Sequence, residues 1–166
     1  MRKSAILCTL LCLAAPAAFA QDVEALERQL DKAREAAPMT VRNFMLVKRP
    51  AKYFGDYEAR QDNTYGRTEQ FHFYAEPRNL VQKTTNGIHE TAVEVDIEFK
   101  AEKGPVQKQP KFMSVKIPSR SRVQDLFLNL NVTLGGAPAG KYNVKFIVRD
   151  VNSKKSATLE QDIVLK

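Results

Sequence analysis

LFLNLNVTL, Leu126 to Leu134, alternates without a break: Leu126, Leu128, Leu130, Val132 and Leu134 fall on one side, and Phe127, Asn129, Asn131 and Thr133 on the other. Successive side chains of an extended strand point to opposite faces. A two-residue period therefore marks a strand with one face in a core and one mostly toward water. The period recurs in AVEVDIEFK (Ala92–Lys100), with Val93, Val95, Ile97 and Phe99 inward and Glu94, Asp96, Glu98 and Lys100 outward. It returns in YNVKFIVRD (Tyr142–Asp150), where Tyr142, Val144, Phe146 and Val148 form the inward set. The segment Thr158–Leu165 closes the chain, and VRNFMLV (Val41–Val47), EQFHFYAE (Glu69–Glu76) and KFMSVKI (Lys111–Ile117) read as weaker strands.

Turn residues separate these runs: Asn86-Gly87, Gly104-Pro105, Gly135-Gly136 and Asn152-Ser153. Seven short strands with no helical crossover predict a mainly β fold, an Ig-like antiparallel β-sandwich over residues 39–166. Residues 21–38 have a different character. DVEALERQLDKAREAA (Asp22–Ala37) has helix composition, a narrow stripe of Val23, Leu26, Leu30, Ala33 and Ala37, acids early, bases late, and Pro38 as a stop. A helix this short is marginal alone in water, so its stripe needs either the domain's own flank or a partner, including a second copy in a weak homodimer.

Residues 1–20 read as a secretory signal peptide: Arg2 and Lys3, an apolar run from Ala5 to Ala15, then Ala18-Phe19-Ala20 before the cleavage point. The run is too short to span a bilayer, so no stable membrane insertion is expected. A periplasmic or secreted location follows. Both cysteines, Cys8 and Cys12, lie in this leader, so the mature chain relies on its core and not on disulfides. Removing Arg2 and Lys3 from the 26 basic residues lowers the formal net charge from +7 to +5. That modest excess suits an anionic partner and also suits plain solubility.

Two stretches carry the strand and turn signals of a recognisable type. In PAGKYNVKFIVRDVNSKKSATLEQDIVL (Pro138–Leu165) a Pro138-Ala139-Gly140 corner leads to Tyr142, a turn from Asp150 and a last strand. In FGDYEARQDNTYGRTEQFHFYAEPRNL (Phe54–Leu80) the Phe54-Gly55, Tyr57, Arg60, Glu69 and Tyr74-Ala75-Glu76-Pro77 positions stand out. Together they resemble uncharacterised bacterial periplasmic or secreted proteins with an Ig-like β-sandwich module, over Thr40–Leu165. The resemblance implies a fold and a compartment, and no reaction.

The sequence holds no G-x-S-x-G elbow, no Walker loop and no H-E-x-x-H pair, and His72 and His89 lack a recognisable nucleophile or third orienting group. No catalytic residue, cofactor or metal is expected. Asp150, Asn152 and Ser153 offer oxygens, but those residues serve any turn's own hydrogen bonds. From Lys100 to Arg122 seven basic residues meet only Glu102, and Lys108, Lys111, Lys116, Arg120 and Arg122 are candidates for binding an anionic surface ligand or an acidic protein. The same composition also guards an edge strand against aggregation. Nucleic acid is not expected, since no recognition motif is present.

Lys48–Arg67 interleaves Tyr53, Phe54, Tyr57 and Tyr65 with Lys and Arg, which suits a stacking surface or a packed crossing. Phe54 and Tyr57 are expected to be at least half covered, Arg60 to bond a strand carbonyl or Glu69, and Tyr65 to stay available with Tyr57 as a candidate contact. The function that fits is non-enzymatic recognition of an envelope protein or anionic envelope ligand. The alternatives are an accessory recognition domain of an envelope enzyme or export system and, behind it, a small hydrolase. N-terminal sequencing of the exported chain is expected to read Gln21-Asp22-Val23; a chain beginning at Met1 would contradict the leader.

Overall fold

The computed structural model describes residues 23–166; the leader read over residues 1–20, with Cys8 and Cys12, lies outside the described residues. One helix, α1 (Val23–Ala36), precedes nine strands: β1 (Thr40–Val47), β2 (Thr64–Tyr65), β3 (Phe71–Arg78), β4 (Lys83–Thr85), β5 (Ile88–Ala101), β6 (Val106–Ser119), β7 (Leu128–Val132), β8 (Gly140–Asp150) and β9 (Ser156–Leu165). All seven strands expected from period two are present. The two additions, β2 and β4, are two and three residues long and too short to show a period.

The fold is mainly β and divides into two sheets. The smaller has the order β1-β3-β7 and is antiparallel. The larger has the order β2-β9-β8-β5-β4, with β6 also on β5, and is mixed because β2 runs parallel to β9. It curls into a half-barrel. The inward residues of both sheets meet in one hydrophobic cluster. Phe71, Phe73, Leu128 and Leu130 come from the smaller sheet, and Val93, Val95, Ile97, Val144, Phe146, Val148 and Ile163 from the larger.

Where the period breaks, a specific residue accounts for it. The β5–β6 ladder slips between Val95 and Ile97; Lys111 takes a φ of 51° opposite the slip, and its N–H donates to Asp96 Oδ1 at 2.7 Å. A carboxylate thus satisfies the donor that a bulge leaves out of the ladder.

α1 carries Glu24 in its first turn and Arg34 in its last, as the helix dipole favours, but buries no residue. Val23, Leu26 and Leu30 remain 67%, 42% and 48% exposed. The stripe therefore does not find the domain's own flank. Because most helix stability in proteins comes from a packed apolar face, α1 contributes little to the core. Deleting Val23–Ala36 is expected to keep a single cooperative urea transition, whereas Phe146→Ala should lower stability by about 3–5 kcal/mol. A truncated chain without a cooperative transition would make α1 part of the core.

Candidate functional site

The Lys48–Arg67 crossing packs down. Its two ends pair through Lys48 N–H to Glu58 C=O at 3.0 Å and Arg60 N–H to Leu46 C=O at 2.9 Å. Inside it Arg49 grips Asp56 with two hydrogen bonds, 2.9 and 2.7 Å, Asn129 bonds both backbone groups of Ala51, and Gly55 N–H donates to Tyr74 Oη at 2.8 Å. Gly55 has a φ of 80°, a conformation in which a side chain would be strained. The result is a second small cluster of Val47, Ala51 and Tyr74.

Tyr57 lies over Tyr74, ring centroids 4.7 Å apart, with about a third of its surface exposed. Arg60 bonds both predicted partners, the Thr64 carbonyl and Glu69, each at 2.7 Å. The expectation that Tyr65 is available is corrected. It is 2% exposed because β2 adds to the edge of β9 and turns the ring onto Phe71, at 5.1 Å. Arg60 covers the ring's outer face at 3.9 Å, and burial pushes the phenol up to about 12.

The basic stretch is answered by its neighbour strand. Across the β5–β6 ladder Lys108 meets Glu98 at 2.8 Å, Lys111 meets Glu94 at 3.3 Å and Lys116 meets Glu90 at 2.7 Å. From the other side Arg149 of β8 pairs with Asp96 and reaches Glu94 at 3.7 Å, and Lys145 reaches Glu98 at 3.7 Å. Exposed pairs of this kind contribute little to stability, about 0–1 kcal/mol each. They do cancel the field a ligand would see, so Lys108, Lys111 and Lys116 do not form an unopposed patch. Arg120 has no ion pair among the described residues, and Arg122 turns toward α1.

Arg122 belongs to a different constellation. Its Nε lies 2.9 Å from Asp31 and its Nη1 3.3 Å from Glu35, so it ties α1 to the loop before β7. Arg34 donates to the Gln124 side chain, and Lys155 Nζ donates to the Arg34 carbonyl at 3.2 Å and the Asn79 carbonyl at 3.0 Å. On β3, Arg78 reaches Glu76 at 3.3 Å, Asp125 at 3.5 Å and the Gln124 carbonyl at 3.2 Å. The Arg42 side chain, on β1, makes no hydrogen bond or ion pair among the described residues. Arg34, Arg42, Arg78 and Arg122, with Asp31 and Glu35, line one cavity of about 150 Å³. The four arginines converge on it from α1, β1, β3 and the loop before β7.

Two wider hollows, about 510 and 540 Å³, border Tyr142; the first is lined mostly by strand residues of mixed charge and the second mainly by turns, and neither has an arginine in its lining. The histidines are occupied by neighbours: His72 Nδ1 contacts Asn131 Oδ1 at 2.7 Å and His89 Nδ1 contacts Thr84 Oγ1 at 2.8 Å. Asp150 spends its oxygens on its own turn, accepting from Asn152 N–H at 3.0 Å and Ser153 Oγ at 2.6 Å, and on Val81 N–H at 2.9 Å. No group of three or more His, Cys, Asp or Glu suited to a metal occurs among the described residues. No described helix is long and apolar enough to cross a membrane.

Compared with known protein families and curated proteins, the chain matches no family model and no curated sequence.

The acid row also sets a pH response. Hydrogen bonding from Arg149, helped by Lys111 N–H, holds the Asp96 carboxyl down at about 2. The folded value lies below the ordinary 3.8, so this stabilisation is full above the ordinary value and is lost as pH falls through about 2. Urea midpoints measured across that window should fall less steeply for Asp96→Asn than for the parent chain. Parallel slopes would separate Asp96 from the acid response.

Proposed function

We propose that the chain is a non-enzymatic periplasmic or secreted binding protein, an Ig-like β-sandwich with an N-terminal helical arm, that recognises an anionic envelope ligand at its α1 end. The leader and the resemblance over Thr40–Leu165 support the compartment and the finer fold. The observation that carries the recognition reading is the convergence of Arg34, Arg42, Arg78 and Arg122 on one cavity, in contrast to the paired lysines of β6. Arginine offers fixed, forked donors that suit oxyanions, and Arg42 holds no counter-charge among the described residues.

A second reading has its own support. Val23, Leu26 and Leu30 stand exposed on α1, which fits a helix that docks on an envelope protein or on a second copy of the chain. In that case the domain serves as the recognition part of an envelope enzyme or export system, with the arginine end as a neighbouring contact.

Heparin retention, and binding to phosphatidylglycerol/phosphatidylcholine vesicles against phosphatidylcholine alone, test the anionic reading. Binding should weaken as salt rises toward physiological strength, where the screening length is about 8 Å. Arg42→Gln should weaken it severalfold with stability unchanged, and Lys108→Gln should have little effect. Indifference to both salt and Arg42→Gln would overturn the reading, and sensitivity to Lys108→Gln alone would move the site to β6.

A further inference from the structure

We infer that the cavity beneath α1 is a seat for a compact tetrahedral oxyanion, a phosphate group, carried either free or at the end of an envelope lipid headgroup. The inference rests on the anionic-ligand reading above and specifies what the site holds.

Its ground is a set of donors without acceptors. Among the described buried side chains only three polar atoms lack a hydrogen-bond partner: Tyr65 Oη, Arg78 Nε and Thr91 Oγ1. Two of the three belong to residues lining this cavity. Thr91 is 2% exposed, on the inward face of β5 where Val93, Val95 and Ile97 continue the same side as pure core. A hydroxyl at that position costs about 1–3 kcal/mol when left unpaired. Valine fills the same volume without that cost, so a threonine here needs an acceptor. Arg78 spends Nη1 and Nη2 on Glu76, Asp125 and the Gln124 carbonyl and leaves Nε over. Arg42 adds a guanidinium with no partner among the described residues.

These donors come from three strands, Arg42 on β1, Arg78 on β3 and Thr91 on β5. Such a set suits an acceptor with several oxygens spread in three dimensions better than a planar carboxylate with two. Size agrees. The cavity's 150 Å³ is far more than one water requires and below the roughly 300 Å³ at which pockets begin to take drug-sized molecules, and a hollow of about 490 Å³ that shares Asp31, Arg34, Arg122 and Gln124 with it leaves room for whatever carries the phosphate.

Charge agrees as well. Four arginines face two lining carboxylates, Asp31 and Glu35, and both of these are already held by Arg122. Glu76 and Asp125 engage Arg78 from outside the lining. The negative end of α1 would oppose an anion, but Lys155 bonds its Arg34 carbonyl.

The test is thermal unfolding and calorimetric titration of the full chain with inorganic phosphate at constant ionic strength. The expected result is a Tm that climbs with the logarithm of phosphate concentration, as binding to the folded state requires. Thr91→Val should unfold at an equal or higher Tm without phosphate, and its phosphate affinity should fall about tenfold. Arg42→Gln should show the same loss with an unchanged Tm.

Vesicles of phosphatidic acid in phosphatidylcholine separate the sources. Binding that inorganic phosphate displaces assigns the headgroup, and phosphate binding without vesicle binding assigns the free anion. A Tm rise shared equally by both variants is a general salting effect and overturns the site. Absence of phosphate binding alongside Arg42-dependent heparin or phosphatidylglycerol binding overturns this inference and leaves the anionic-ligand reading standing. Absence of all three removes both.

Discussion

Phe73 of β3 and Phe146 of β8 meet edge to face with ring centroids 4.9 Å apart, and this contact joins the two sheets. Other rings build outward from it. Phe44 stacks on Phe73 at 5.6 Å and meets Phe146 at 6.1 Å, Phe71 abuts Phe73 at 5.9 Å, Phe112 reaches Phe146 at 6.3 Å, and Tyr65 tilts onto Phe71 at 5.1 Å. Edge-to-face pairs add about 0.5–1.5 kcal/mol beyond the area they bury. With no cysteine among the described residues, this ring cluster takes the place a covalent staple has in small disulfide-bonded domains. It also dictates register. A one-residue slip in β3 or β8 would carry Phe73 or Phe146 to the opposite face.

Register in turn determines where charge is spent. Once Val93, Val95 and Ile97 face the rings, Glu90, Glu94, Asp96 and Glu98 must face outward from β5, between the bases of β6 and β8. The ladder pairs the acids with Lys108, Lys111, Lys116, Lys145 and Arg149. A stretch that looks strongly basic along the chain is near neutral across the sheet. Unopposed cations then remain at scattered points, and Arg42 lies where three other arginines converge.

This explains which parts of the molecule local sequence discloses. Alternation reveals a strand because the period lives within a few residues, and the seven longer strands, the Asp150 turn and the Arg60 contacts were legible in that way. Tyr65 was not, since its burial depends on a parallel pairing between Thr64-Tyr65 and Val164-Leu165 that no local pattern announces. The charge balance of β6 was hidden for the same reason: the acids that pair with its lysines lie beyond a turn, and a charge run read in one dimension hides its cross-strand neighbours. The arginine cavity was the least legible feature. Arg34, Arg42 and Arg78 come from three separate elements and Arg122 from the loop before β7, and only Arg122 stood out, as part of a run from which its pairing with Asp31 and Glu35 separates it. A single threonine, Thr91, in an otherwise apolar inward set was the one local signal available.

The cavity's walls differ in strength, and that difference bears on how a ligand would be held. Arg42, Arg78 and Thr91 sit on strands fixed by the ladder and the rings, whereas Asp31, Arg34 and Glu35 sit on a helix that buries no side chain. The helix is tied down by Arg122, Gln124 and Lys155 through contacts that are all polar. Water competes with such contacts, so α1 can separate from the sheets at a small fraction of the cost of unfolding them. Ligand donors on the rigid wall keep their geometry through such openings, and the acids on the labile wall leave with the helix. Arg122 is then released from Asp31 and Glu35, and Arg34 leaves with the helix, so opening exchanges two lining acids and one lining arginine for water. Water that enters raises the local dielectric, so the strand donors act most strongly on an anion when α1 is in place.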